Sequence, residues 1–184
     1  MSGSAFVREL LREISRERRH PEFDVLEKRH DAEFGKMRLE VLPGAQESLN
    51  HLEKVHVRWA IATTSGIAQT TRLLKHLEVP EHVPVVNGDD VKNAKPSPDI
   101  FVKAAEELGV PIGDCIVIGD SIWDVLAAGR KSALGVGLLS GGYSQEELER
   151  AGAFRVYADP ADSARLGALF RYGQEPFGAV RSTV

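Results

Sequence analysis

The stretch VIGDSIWDV (residues 117–125) places one aspartate directly after an apolar run and a second four residues later, where a helix begins. Two other apolar runs end in groups able to share work with these carboxylates. VRWAIA (residues 57–62) is followed by Thr63, Thr64, Ser65 and Gly66. Pro84 to Val86 are followed by Asn87, Gly88, Asp89 and Asp90, and then by Lys95-Pro96-Ser97-Pro98. Hydroxyls and backbone N–H groups bond phosphate oxygens, an ammonium neutralises their charge, and carboxylate oxygens suit Mg2+. Gathered on one rim, Thr63, Thr64, Lys95, Asp120 and Asp124 suit a phosphate ester and a divalent cation.

Singly, each residue has a plainer explanation. Thr63 and Thr64 fit as caps of the next helix. Lys95 alone is an ordinary loop lysine. Ser97-Pro98-Asp99 has the makings of a helix start, with Ser97 as N-cap, Pro98 at the first helical position and Asp99 favourable to the helix dipole. Asp120 and Asp124 could be helix-terminal acids, and Asp89 and Asp90 belong to a solvated turn. Order and spacing, not any one residue, carry the signal.

Such groups converge only if the elements behind them put every strand tip on one side. Two amphipathic helices are expected before residue 42, the first ending at His20-Pro21 and the second over residues 24–41. The charge run RERRH (residues 16–20) is a solvated helix face. Leu42-Pro43-Gly44 breaks the pattern. From there the chain alternates, with strands expected at 57–62, 84–86, 115–118, 133–138 and 155–157. Helices are expected at 45–54, 68–77, 98–108, 123–130, 145–151 and 161–170. Several of the strands are continuous apolar runs, as in parallel sheets covered on both faces. The fold class is therefore α/β, a doubly wound parallel sheet. Ligands of such sheets bind outside the carboxyl ends of the strands, where the candidate residues lie. The domain reading is a helical segment over 1–42, an α/β core over 43–170 and a tail over 171–184 with little periodicity.

Composition narrows the function classes. The chain has 184 residues, 42% hydrophobic and 27% charged, as in an ordinary globular protein. Its net charge of −4 argues against a binder of nucleic acid. Its single cysteine, Cys115, fits a small core residue in a reducing cytoplasm and excludes an internal disulfide. No apolar run approaches membrane-spanning length. The six histidines have no metal-ligand spacing. Trp59 is expected in the core, and Trp123, between the two acids, either walls the site or packs beneath its loop. The expected partners include no nucleic acid and no membrane.

Taken together, IATTSG, NAKPSPDIF and VIGDSIWDV resemble the second, third and fourth motifs of the haloacid dehalogenase superfamily of phosphohydrolases. The pairing of KPSPDIF with GDSxxDV is similar to its phosphoglycolate phosphatase and β-phosphoglucomutase branch. The resemblance covers about residues 42–170. It implies that Thr63 and Lys95 stabilise a transferring phosphoryl group, that Asp120 binds Mg2+ directly or through water, and that Asp124 completes the acidic site or holds Lys95. It also implies that residues 1–42 are a partial N-terminal helical cap, of the kind that sets specificity, over a 43–170 core lacking its first strand, and that the partner is a small phosphorylated metabolite.

One part of the family pattern is missing. The first motif, DxDx[TV], supplies the aspartate nucleophile and the general acid–base, yet no two aspartates of this chain stand two residues apart. The strand that carries the motif in the family lies between the strands expected here at 57–62 and 115–118. Its loss would leave two inner strands with unpaired N–H and C=O groups facing a gap. The expectation is an N-terminally truncated or mis-started phosphatase, inactive as written; the alternative is a non-catalytic remnant that binds phosphate or a protein. A response-regulator receiver ranks lower, because it orders its acids before Thr and Lys. So does a dinucleotide-binding domain, because Gly135, Gly137, Gly141 and Gly142 have the wrong spacing for that fingerprint.

Overall fold

A computed structural model of the chain describes residues 23–36 and 39–162. The helix expected before His20 and the tail over 171–184 lie outside those residues. So does the helix expected over 161–170, apart from residues 161 and 162, which are not helical. Helix α1 runs Phe23–Lys36, shorter than the expected 24–41, with Gly35 in its last turn. Helix α2 (Ala45–Lys54) starts after Gly44, whose φ of 75° is left-handed.

Strands β1 (Ile61–Ala62) and β2 (Val85–Val86) pair in parallel, Ile61 opposite Val85 and Ala62 opposite Val86. Helix α3 (Ile67–Leu74) connects them. Strand β1 is much shorter than the expected 57–62, because a strand extends only as far as its ladder and β2 offers two residues. A second parallel sheet has the order β3-β4-β5, from Ile116–Gly119, Leu134–Leu138 and Arg155–Tyr157. Its crossover helices are α5 (Ile122–Gly129) and α6 (Gln145–Arg150), and α4 (Asp99–Leu108) leads from the first sheet to the second. The architecture is α/β with parallel strands throughout. Among the described residues no ladder joins β1 to β3. Among the described residues the strands thus form two separate sheets.

One core nevertheless spans the interruption. Helix α4 buries Ile100, Phe101, Ala104 and Ala105 along one stripe. Ile100, Phe101 and Ala104 cluster with Val86 of β2, Val117 of β3, and Ala127 and Ala128 of α5, while Ala60 and Ala62 pack against the same group. Burying a side chain such as Ile100 contributes roughly 1.5–3 kcal/mol. Helix α4 thus holds the two half-sheets in one body, with their tips on the same side. Trp59 is buried as expected, with Leu52 and Val83, and its indole N–H donates to Glu53 Oε1 at 2.6 Å. Among the described residues no helix is long and apolar enough to cross a membrane.

Candidate functional site

Helix α5 fixes the acidic part of the site. Its N-cap is Ser121, which forms a capping box with Asp124: the Asp124 N–H donates to Ser121 Oγ at 3.3 Å, and the Ser121 N–H donates to Asp124 Oδ2 at 3.1 Å. Ser121 Oγ also donates to Asp124 Oδ2 at 2.6 Å. The other Asp124 oxygen, Oδ1, lies 2.5 Å from Lys95 Nζ. Both partners of that ion pair are nearly enclosed, Lys95 at 11% side-chain exposure and Asp124 at 8%. The Lys95 ammonium also stands 5.1 Å from the centre of the Phe101 ring, within cation–π range. Of its two expected roles, Asp124 takes that of holding Lys95.

The same helix anchors the lysine loop at its far end, where Arg130 Nη1 donates to Pro96 O at 2.8 Å. Ser97 does not cap α4 through the backbone as expected. Its hydroxyl donates to Asp99 Oδ1 at 2.5 Å, and the N-cap position belongs to Pro98. Together with the Asn93 amide, that bond holds the Asp99 carboxyl below the usual carboxylate range.

The threonine loop is fixed from another strand end. Asp89, in the turn after β2, accepts from the Ile67 N–H at 2.8 Å, so the first turn of α3 is capped by a residue 22 positions away rather than by Thr63 or Thr64. Asp90 accepts from the Asn87 N–H at 2.8 Å and closes its own turn. Both acids are thereby structural. Thr63 Oγ1 accepts from the Ser65 N–H at 3.2 Å, leaving its proton free to point elsewhere. Two glycines allow close approach: a Cβ on Gly119 would overlap the Asp124 side chain, and one on Gly141 would overlap the Asp120 carbonyl.

These loops enclose a cavity of about 450 Å³ lined by Thr63, Thr64, Lys95, Asp120 and Asp124, with Ala62, Ser121, Trp123 and Tyr143. All five candidate residues therefore border one space, and Trp123 walls it. Tyr143 is an addition from the loop after β4. The strand ending at Leu138 is the signal that could have found it, since polar groups just past the other strand ends also reach the cavity. Cys115 stands apart from the cavity lining; its thiol donates to Pro111 O at 3.4 Å, and burial pushes its pKa up, which suits an inert residue.

The donor set suits Mg2+ in one specific way. Among the described residues no three His, Cys, Asp or Glu side chains gather to hold a metal by themselves. Asp124 is committed to Lys95 and Ser121, whereas the exposed Asp120 carboxylate borders the cavity with no described bond. Mg2+ commonly takes one or two carboxylates, keeps waters and completes its shell with substrate phosphate oxygens. Asp120 fits that pattern.

The sequence profile of haloacid dehalogenase-like hydrolases matches residues 3–130. Phosphoglycolate phosphatase from Rhodospirillum rubrum is 31% identical over 120 residues, which make up 65% of this chain and 49% of that protein. The chain thus spans about half the length of such a relative. A hydrolase from Pseudomonas syringae of known structure is 44% identical, with a TM-score of 0.78 over 90% of this chain and 77% of that one. A haloacid dehalogenase family hydrolase from Deinococcus radiodurans, solved with bound phosphate and sodium, is 27% identical, with a TM-score of 0.66 over 94% and 76%.

Proposed function

We propose a function from one premise: this chain belongs to the haloacid dehalogenase-like hydrolase family. Its cavity is the phosphate and Mg2+ pocket of a phosphoric monoester hydrolase acting on a small phosphorylated metabolite in the cytoplasm. The observation that carries this reading is the enclosed Lys95–Asp124 pair on the wall of a cavity shared with Thr63 and Asp120.

Each residue has a role set by its surroundings. Lys95, held between Asp124 and the Phe101 face, offers its remaining N–H donors to phosphate oxygens from a fixed position. Thr63 and Thr64 donate hydroxyl hydrogen bonds at the tip of β1. Asp120 holds Mg2+, which when bound neutralises phosphate charge and orients the ester. Asp124 is a positioning residue acting through Lys95. Preorganised donors of this kind stabilise the charge of a transferring phosphoryl group. The sequence contains no DxDx[TV] pair to attack phosphorus, so the 184-residue polypeptide binds phosphate without turning it over.

Titrating the chain with inorganic phosphate by calorimetry, with and without Mg2+, tests this reading. Phosphate is expected to bind, with Mg2+ strengthening the binding. Thr63→Ala should weaken it in both conditions, and Asp120→Asn should remove only the Mg2+ enhancement. Absence of phosphate binding, or equal binding by both variants, contradicts the proposal.

A further inference from the structure

The cavity has two kinds of wall. Thr63 and Thr64 come from the tip of β1 and Lys95 from the loop after β2, whereas Trp123 and Tyr143 come from the segments that follow β3 and β4 in the second sheet. Both rings belong to the Asp120 side. Trp123 lies in the first turn of α5, just past Asp120. Gly141, shortly before Tyr143, packs so closely on the Asp120 carbonyl that a Cβ there would overlap it.

Neither ring serves the core. Trp59 is buried with Leu52 and Val83, but Trp123 and Tyr143 are half-buried and belong to none of the apolar clusters among the described residues. The backbone beneath each is nevertheless fixed. Trp123 sits inside the Ser121–Asp124 capping box. Tyr143 is held between Gly142, left-handed at a φ of 82°, and Ser144, the N-cap of α6, whose N–H donates to Glu147 Oε2 at 2.9 Å. Two rings fixed in this way are preorganised for a ligand.

A phosphate dianion gains nothing from them, because an aromatic face carries negative partial charge. They suit the other half of a phosphate ester. Aromatic rings pair with flat rings, offset or edge to face, and gain more than the buried area alone supplies. A further anionic group against them would lie without a partner. The volume of about 450 Å³ falls in the range of about 300–1,000 Å³ that holds whole small molecules.

We propose that Trp123 and Tyr143 are specificity-determining residues, selecting phosphate esters whose organic part carries an uncharged flat ring. The inference rests on the cavity being a phosphate pocket and names the substrate class that goes with it. It makes the α/β core itself a contributor to substrate choice.

Calorimetric titration of the full chain with Mg2+, at about pH 8 where phosphate monoesters are dianions, tests it with inorganic phosphate, phenyl phosphate and cyclohexyl phosphate as probes. The two esters are similar in size, and only the phenyl ring is flat. Phenyl phosphate should bind about threefold to tenfold more tightly than cyclohexyl phosphate. Trp123→Leu and Tyr143→Leu should each lower that ratio, and Tyr143→Phe, which keeps the ring, should preserve it. The double leucine variant should bring the ratio to about one. A merely structural role would weaken all the probes together and leave the ratio as it was. The wild-type comparison decides the matter even where a leucine variant does not fold. Failure of every probe to bind overturns the phosphate pocket and this inference with it. Phosphate binding with no preference for the phenyl ester, or a preference that survives in the double variant, overturns this inference alone.

Discussion

Replacing Lys95 with methionine is expected to lower unfolding free energy by about 3–5 kcal/mol, because it leaves the Asp124 carboxylate enclosed without its cation. Asp124 retains 8% side-chain exposure, and only the Ser121 hydroxyl and N–H would remain to it. Few single changes elsewhere should match that loss, since a domain of this size is stable by only about 5–15 kcal/mol. Methionine keeps the apolar stem over Phe101, so the loss reports the charge rather than packing. Urea denaturation followed by circular dichroism measures it. The double variant Lys95→Met/Asp124→Leu should recover part of the loss, since an apolar pair leaves no buried ion, although it forfeits the capping box at about 1 kcal/mol. If Lys95→Met unfolds at the same urea concentration as the wild type, the pair does not organise the site.

The second large effect concerns catalysis. Incubated with p-nitrophenyl phosphate and Mg2+, the 184-residue chain should release nitrophenol at the rate of the buffer alone. Phosphate-monoester hydrolysis is among the slowest uncatalysed reactions, with accelerations reaching about 10²¹-fold, so an active site of any quality would be visible at once. In the proposed reading Lys95 and Thr63 bond phosphate oxygens and Asp120 holds the cation, and none of the three is a nucleophile poised beside a base. Turnover clearly above buffer and abolished by Asp120→Ala would refute the assignment of inactivity and require an attacking group not recognised in the sequence.

Much of the site is legible in the sequence because a parallel sheet announces its ligand edge. An apolar run that stops at Thr63, or at Gly119-Asp120, reads in a chain of alternating strands and helices as a strand reaching the surface, and the residues just beyond it are the ones available to a ligand. The helix containing Ile100, Phe101, Ala104 and Ala105 is equally readable from its stripe. What the sequence conceals is long-range bonding. That Asp89 caps a helix beginning 22 residues earlier depends on β1 and β2 lying side by side, which no local pattern states. Ser97 misleads for a related reason: its hydroxyl has two acceptable partners, and the Asp99 carboxylate, being charged, is the stronger acceptor. Strand β1 is shorter than its composition suggests because Val57 to Ala60 have strand character without a ladder partner. The loop after β4 shows only a loose glycine cluster in the sequence, although Gly141 is what lets that loop lie against Asp120 and bring Tyr143 to the cavity.

The convergence of Thr63, Lys95 and Asp120 on one phosphate and one cation is the claim on which the functional reading depends. A crystal grown with Mn2+ and phosphate, with data collected at a wavelength where manganese scatters anomalously, addresses it most directly. The expected result is an anomalous peak at bonding distance from an Asp120 carboxylate oxygen, with phosphate density reaching Thr63 Oγ1 and Lys95 Nζ. Manganese bound away from Asp120, or phosphate bound outside the cavity, would contradict it.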